Sequence, residues 1–161
     1  MKDKKSVKNK CLILHNVRSV YNAGAIFRTA DAVGIDKIYI SGYTPAPVDR
    51  FGRVRSDFHK SALGAEMNVA WEEVSSVGKL LKQLAREDFQ IIALEQAKNS
   101  IDYKKVKVKN KVAVIVGNEV RGLSKPLQKK CHVIAEIPMR GKKESLNVSV
   151  AAGILLYRLL D

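Results

Sequence analysis

Three stretches of this sequence leave an apolar run for polar residues: Leu94-Glu95-Gln96, GNEVRG (117–122) and IPMRGKKESLN (137–147). Two of them carry glycine at or near the break. A glycine lets a ligand approach the main chain closely, where exposed amide groups can bind it. Behind the third stretch, from Leu146 onward, the residues are apolar on every face of a helix, so that helix belongs in the interior or against another subunit. Polar Ser145 and Asn147 nevertheless stand at its mouth. Ser145 is expected to be the N-cap, its hydroxyl accepting from a first-turn amide. Asn147, one step inside the first turn, can donate and accept hydrogen bonds at once. Glu119 follows a run that should be buried, so its carboxylate needs a partner. Any one of these breaks taken alone is better read as an ordinary strand-to-helix turn; the three together favour one shared ligand pocket.

Other chemistries lose their support. No GxGxxG follows a strand and no GxxxxGK[ST] occurs, which removes the dinucleotide and P-loop fingerprints. A serine nucleophile in a GxSxG elbow is absent too. Cys131 and His132 are neighbours in a strand, so their side chains point to opposite faces and do not form a nucleophile–base pair. Cys11 and Cys131 suggest no disulfide framework, and His15, His59 and His132 show no metal-ligand spacing. No structural metal is expected.

The elements that must position these residues follow from apolar runs and turn signals. Strands are expected at CLILH (11–15), DKIYIS (36–41), NVAW (68–71), FQIIAL (89–94), VAVIVG (112–117) and HVIAEI (132–137). Helices are expected over 20–34, ending at Gly34, over 74–87, near 124–130 and over 145–160. The segment 42–60, with proline, glycine and four basic residues, is expected to be a long surface loop. Alternating short strands and helices argue for an α/β fold with a parallel sheet covered on both faces. In such sheets ligands bind beyond the carboxyl ends of the strands, where the three polar breaks fall.

The chain is expected to be a basic leader (1–10) followed by a single domain (11–161). Its 29 Lys and Arg against 16 Asp and Glu give a formal charge of +13, which suits a polyanionic partner: RNA, DNA or an anionic membrane. No apolar run reaches the roughly 20 residues that span a bilayer, and the leader lacks the apolar core of a signal peptide. The expected setting is the cytoplasm.

NVRSVYNAGAIFRTADAVG (16–34), IVGNEVRGLS (115–124) and IPMRGKKESLNVSVAAGILLY (137–157) resemble the three motifs of the TrmH/SpoU branch of the SPOUT RNA methyltransferases. HKSALGAEMNVAW (59–71) and ALEQ (93–96) resemble its connecting segments, so the likeness runs from about residue 11 to the end. It implies a C-terminal trefoil knot, S-adenosylmethionine bound in the knot, a homodimer, and methyl transfer to a ribose 2′-hydroxyl of tRNA or rRNA. By motif position, Leu94, Gly117, Asn118, Glu119, Ile137, Met139, Ser145 and Leu146 would surround the cofactor. The catalytic set would be Asn22, Arg28, Glu119, Ser145 and Asn147. Asn22 would open and cap its helix, and Gly24 would leave room for substrate on the Arg28 face. Glu119 would pair with a first-motif arginine, from its own subunit or across the dimer, and Asn147 would orient the ribose or hold the loop closed. The resemblance gives Arg28 the role of base, assisted by the substrate phosphate; because a guanidinium holds its proton so firmly, what is expected of Arg28 is that it is essential and contacts the ribose phosphate. The lysines of 104–111, with Lys142, Lys143, Arg50, Arg53 and Arg55, would follow RNA phosphates, and Tyr43 and Phe51 would stack on bases. The rival reading is an RNA-binding protein that keeps the fold without catalysis.

Overall fold

Aliphatic runs set the centre of the molecule. In the computed structural model, which describes residues 9–161, Leu12–Leu14 and Val112–Val116 are sealed from solvent on both faces. Most of the basic leader lies outside the described residues; its last two, Asn9 and Lys10, already belong to the first strand. Among the described residues seven strands form one sheet: β1 Asn9–His15, β2 Lys37–Ser41, β3 Ala70–Val74, β4 Gln90–Leu94, β5 Ile101–Asp102, β6 Lys111–Val116 and β7 Val133–Glu136. Their order is β3-β2-β1-β6-β4-β7-β5, and every pairing is parallel. Parallel pairing needs crossovers that cover the faces, which is why the central strands read as unbroken apolar runs.

The helices are α1 Val20–Val33, α2 Ser56–Ala62, α3 Ala65–Asn68, α4 Val77–Arg86, α5 Lys125–Lys129 and α6 Val148–Leu160, with a 3-10 turn at Tyr103–Lys105. Alternation along β1 divides the core. Leu12 and Leu14 point into a layer with α1, α2 and α6, where Phe27 and Phe58 meet edge to face at 5.1 Å. Cys11 and Ile13 point the other way, against Leu80, Leu81 and Leu84 of α4. Helix α1 ends as its sequence demands: Gly34 adopts φ 76°, and its N–H donates to the Asp31 carbonyl.

Four expectations about elements need correction. Segment 42–60 is not all loop, because α2 begins at Ser56; its buried Phe58 and Ala62 pack on α1. Helix α6 starts at Val148 rather than 145, so residues 137–147 form a longer connection. The short β5 and the 3-10 turn have too little periodicity to be read from sequence. Strand β3 sits two residues later than NVAW, at Ala70–Val74. Among the described residues, no helix is long and apolar enough to cross a membrane.

Candidate active site

The parallel strands end on one edge of the sheet, and the connections after β1, β4, β6 and β7 gather there. Glu119, just past β6, turns back toward the start of α1. Its carboxylate accepts from the backbone N–H of Arg18 at 3.1 Å and of Ser19 at 3.1 Å. Asn22 Nδ2 donates to the same carboxylate at 3.3 Å. Asn147 Nδ2 in turn donates to Asn22 Oδ1 at 3.2 Å. Asn147 Oδ1 accepts from Ser149 N at 2.8 Å and from Ser149 Oγ at 2.6 Å.

This relay joins three distant segments and has one sense. A carboxylate only accepts, so the Asn22 amide must turn its NH₂ toward Glu119 and its oxygen toward Asn147. A backbone N–H only donates, so Asn147 must turn its oxygen toward Ser149. Both amide orientations are thereby fixed from opposite ends. Burial alone would raise the Glu119 pKa, but hydrogen bonds from the Ser19 amide, its own amide, the Arg18 amide and Asn22 outweigh it and hold the carboxyl below its usual range.

Beside the relay lies a cavity of about 320 Å³. All eight residues expected around a cofactor line it: Leu94, Gly117, Asn118, Glu119, Ile137, Met139, Ser145 and Leu146. The 117–123 side is tightly built. Asn118 Oδ1 accepts from Val120 N at 3.0 Å and Arg121 N at 2.8 Å, and Gly122 N donates to the Asn118 carbonyl at 3.0 Å. Asn118 Nδ2 donates to the Asn16 carbonyl at 3.1 Å and to the Tyr43 hydroxyl at 3.0 Å. Asn118 thus spends its hydrogen bonds on holding the loop. A Cβ on Gly117 would stand 2.8 Å from the Gly122 backbone, so the chain can make this turn only with glycine there.

Sequence reasoning missed Glu95 and Gln96 as individual residues, although both sit in the quoted break after β4. Glu95 Oε2 accepts from Leu123 N at 2.8 Å and pins the far end of the 117–123 loop. Gln96 Nε2 donates to the Glu144 carbonyl at 3.0 Å and ties down the opposite wall.

Several roles differ from expectation. Ser145 does not cap α6; Asn147 does, because the helix begins three residues later and the Asn147 side chain reaches the Ser149 amide. Asn22 does not cap α1 either. Ser19 Oγ accepts the Asn22 N–H at 3.1 Å, leaving the Asn22 amide free for the relay. Within its own subunit Glu119 is met by two backbone amides and the Asn22 and Asn118 side-chain amides, with no arginine side chain of the same chain among its hydrogen-bond partners. Gly24 leaves room for α2 rather than for a substrate, since a Cβ there would stand 1.8 Å from Ser61 Oγ. Arg28 is exposed on α1 and lines neither this cavity nor the cleft beside it.

That neighbouring cleft, about 1040 Å³, shares Asn118, Glu119 and Val120 with the cavity and adds Arg18, Ser19, Asn22, Tyr43 and Arg121. A narrow chamber therefore opens beside a wide cleft with two arginines on its wall. Along α1 and α6 the surface is apolar and open, with Tyr21 71 %, Val150 50 % and Tyr157 47 % exposed.

Residues 9–157 match the SpoU rRNA Methylase family. A relative from Staphylococcus aureus (strain COL), whose name places it in the TrmH family of tRNA/rRNA methyltransferases, is 32% identical over 148 residues, covering 92% of this chain and 57% of its own. The chain thus spans little more than half the length of such curated relatives. Among solved structures, the TrmH/SpoU tRNA modifying enzyme of A. aeolicus superimposes with a TM-score of 0.82 at 30% identity, covering 96% of this chain and 75% of that one. The AdoMet-bound rRNA methyltransferase from Sinorhizobium meliloti gives 0.79 at 27% identity, covering 93% and 55%.

Proposed function

The chain belongs to the SpoU rRNA methylase family, and from that membership we propose that it is an S-adenosylmethionine-dependent RNA methyltransferase acting on a ribose 2′-hydroxyl of tRNA or rRNA. The observation that carries this reading is the Glu119–Asn22–Asn147 relay, which locks three separate segments around one cavity. The cofactor fits the residues present. Leu94, Ile137, Met139 and Leu146 offer apolar surface for a flat heterocycle, and the glycine-built 117–122 turn brings backbone groups within reach of its edge. When bound, S-adenosylmethionine supplies a methyl group already activated by its sulfonium.

What the protein must add is alignment and a route for the hydroxyl proton. Asn147, held by Ser149 and Asn22, links the entry of α6 to the relay beside the cavity. Arg18 and Arg121 on the cleft wall attract the phosphates beside the target ribose. Arg28 is the proposed catalytic residue, gripping the ribose phosphate; because it lines neither the cavity nor the cleft of its own chain, it serves the cavity of a second subunit. The open apolar strip of α1 and α6, on the helix that carries Arg28, is the surface through which a homodimer would form. The knotted C-terminal path and a cytoplasmic setting belong to the same proposal.

The test is transfer of labelled methyl from S-adenosylmethionine to total tRNA and, separately, total rRNA, taken from cells lacking the gene. A labelled 2′-O-methylnucleoside after digestion is the expected product. A labelled base would overturn the ribose assignment, and RNA binding without transfer would favour the non-catalytic reading. Arg28→Ala should lower the transfer rate about 100-fold or more through lost positioning of the ribose while the cofactor still binds; near wild-type turnover would remove Arg28 from the mechanism.

A further inference from the structure

The connection between β2 and α2 carries a feature that the cofactor and the relay do not use. Residues 48–54 form a small antiparallel hairpin, with Val48 bridged to Val54 and Asp49 N donating to the Arg53 carbonyl at 2.8 Å. Asp49 organises its tip. One carboxylate oxygen accepts from Phe51 N at 2.8 Å and Arg53 N at 3.0 Å, and the other accepts from Arg53 Nε at 2.8 Å. These bonds hold the Asp49 carboxyl below its ordinary range, first through the Arg53 amide, against a small opposing effect of burial, and then through the Phe51 amide and the Arg53 side chain.

The hairpin holds Phe51 in water. The ring is 66 % exposed even with two guanidiniums beside it, Arg50 at 4.7 Å and Arg53 at 5.0 Å from its centroid. A single exposed ring is common on protein surfaces; here a carboxylate-pinned turn sets the ring between two cations, so that its apolar surface and two positive charges are presented together. The same connection begins at the active-site edge, where Tyr43 takes the Asn118 hydrogen bond and Thr44 Oγ1 donates to the Leu14 carbonyl at 3.1 Å. It therefore leaves from the wall of the wide cleft.

We propose that Phe51, with Arg50 and Arg53, is a stacking platform for an unpaired base of the substrate RNA, gripping the strand away from the modified nucleotide. Aromatic rings and guanidinium planes both stack on bases, and the two cations also meet the flanking phosphates. A double helix offers no free base face, so the platform selects a single-stranded loop or bulge. This rests on the RNA methyltransferase reading and sharpens it to the kind of RNA segment taken.

The experiment is binding of total tRNA and total rRNA to the full chain, with methyl transfer measured in parallel. Phe51→Leu keeps an apolar side chain and removes the ring; it should weaken RNA binding about tenfold or more, raise KM for RNA and leave kcat and cofactor affinity little changed. Phe51→Trp should bind like the wild type. With Trp71, the sole tryptophan, replaced by phenylalanine, the fluorescence of that variant should fall as RNA saturates it. Unchanged affinity in Phe51→Leu, or unquenched fluorescence in Phe51→Trp at saturation, would overturn the platform while leaving the enzyme reading intact. Weakening by Arg50→Gln and Arg53→Gln alone would reduce the hairpin to a charge contact and overturn stacking. Failure of the wild type to bind either RNA would sink the functional reading itself. Thermal melting of each variant separates a lost contact from a lost fold.

Discussion

The loops after β6 and β7 face each other across one cavity and are held in opposite ways. On one side, 117–123 is fixed by its own Asn118 turn, by Glu95 just after β4 and by Glu119 reaching the α1 N-terminus. A Cβ at Gly117 or Gly122 would strike backbone or the Glu95 carboxylate. On the other side, 140–147 is exposed throughout, and Gly141 has nothing within 4 Å of a Cβ. Hydrogen bonds reach this wall from outside at the Glu144 carbonyl and at Asn147. One wall is a preformed template; the other is free to settle on what enters. Such a division keeps alignment at the chemistry while letting a polar, flexible ligand in and out.

Paired glycine substitutions press hardest on that contrast. Gly117→Ala should cost about 1–3 kcal/mol of stability through overpacking and lower cofactor affinity more than tenfold, measured by melting and calorimetry. Gly141→Ala should leave both within error. Equal effects at the two positions would break the comparison.

The pinned wall should also respond to acid. A carboxyl whose pKa is lowered on folding contributes stability above its unfolded value, and that contribution is lost as pH falls through the folded value. For Glu119 the loss begins below about 4.5. Melting curves of the wild type and Glu119→Gln should therefore differ at neutral pH and converge in acid. A constant difference down to pH 3 would mean that the carboxylate contributes through its shape alone.

How far the sequence disclosed this site follows from what each residue depends on. The apolar runs of β1, β4 and β6 and the Gly34 stop are local signals, and they appear where expected. The polar breaks at 94–96, 117–122 and 137–147 are local too, and the structure brings them to one cavity. Hydrogen-bond partners are another matter. Glu119 meets Ser19 across 100 positions of sequence, and no spacing rule says that backbone amides at a helix entry will take the place of an arginine. The cap of α6 was misplaced because Ser145 and Asn147 are both good cap residues; the contact with Asn22 selects the second. Helix α2 was hidden in a stretch rich in turn residues, and packing of Phe58 on Phe27 stabilises it where propensity would not.

Asn147 stands where the two walls join, which makes it the finer test. It caps α6 and receives nothing from Ser145, so Asn147→Ala should cost about 1 kcal/mol and slow methyl transfer. Ser145→Ala should leave stability within about 0.5 kcal/mol, because Ser145 is exposed and does not cap α6. A reversed order would move the anchor of this wall from the helix entry into the exposed loop.

The smallest effect should come from the loose wall itself. Trypsin has Arg140, Lys142 and Lys143 available there, all exposed. Cleavage at these sites should slow severalfold when S-adenosylmethionine is added, while Arg121 in the pinned wall, although exposed, should be cut slowly with or without it. Proteolysis needs a segment that can open into an extended form, so its rate reports local freedom rather than accessibility alone. Equal cleavage at 121 and 140–143 would show that the hydrogen bonds of the 117–123 loop do not restrain it. Cofactor-independent cleavage at 140–143 would leave that loop mobile but outside the ligand's grip.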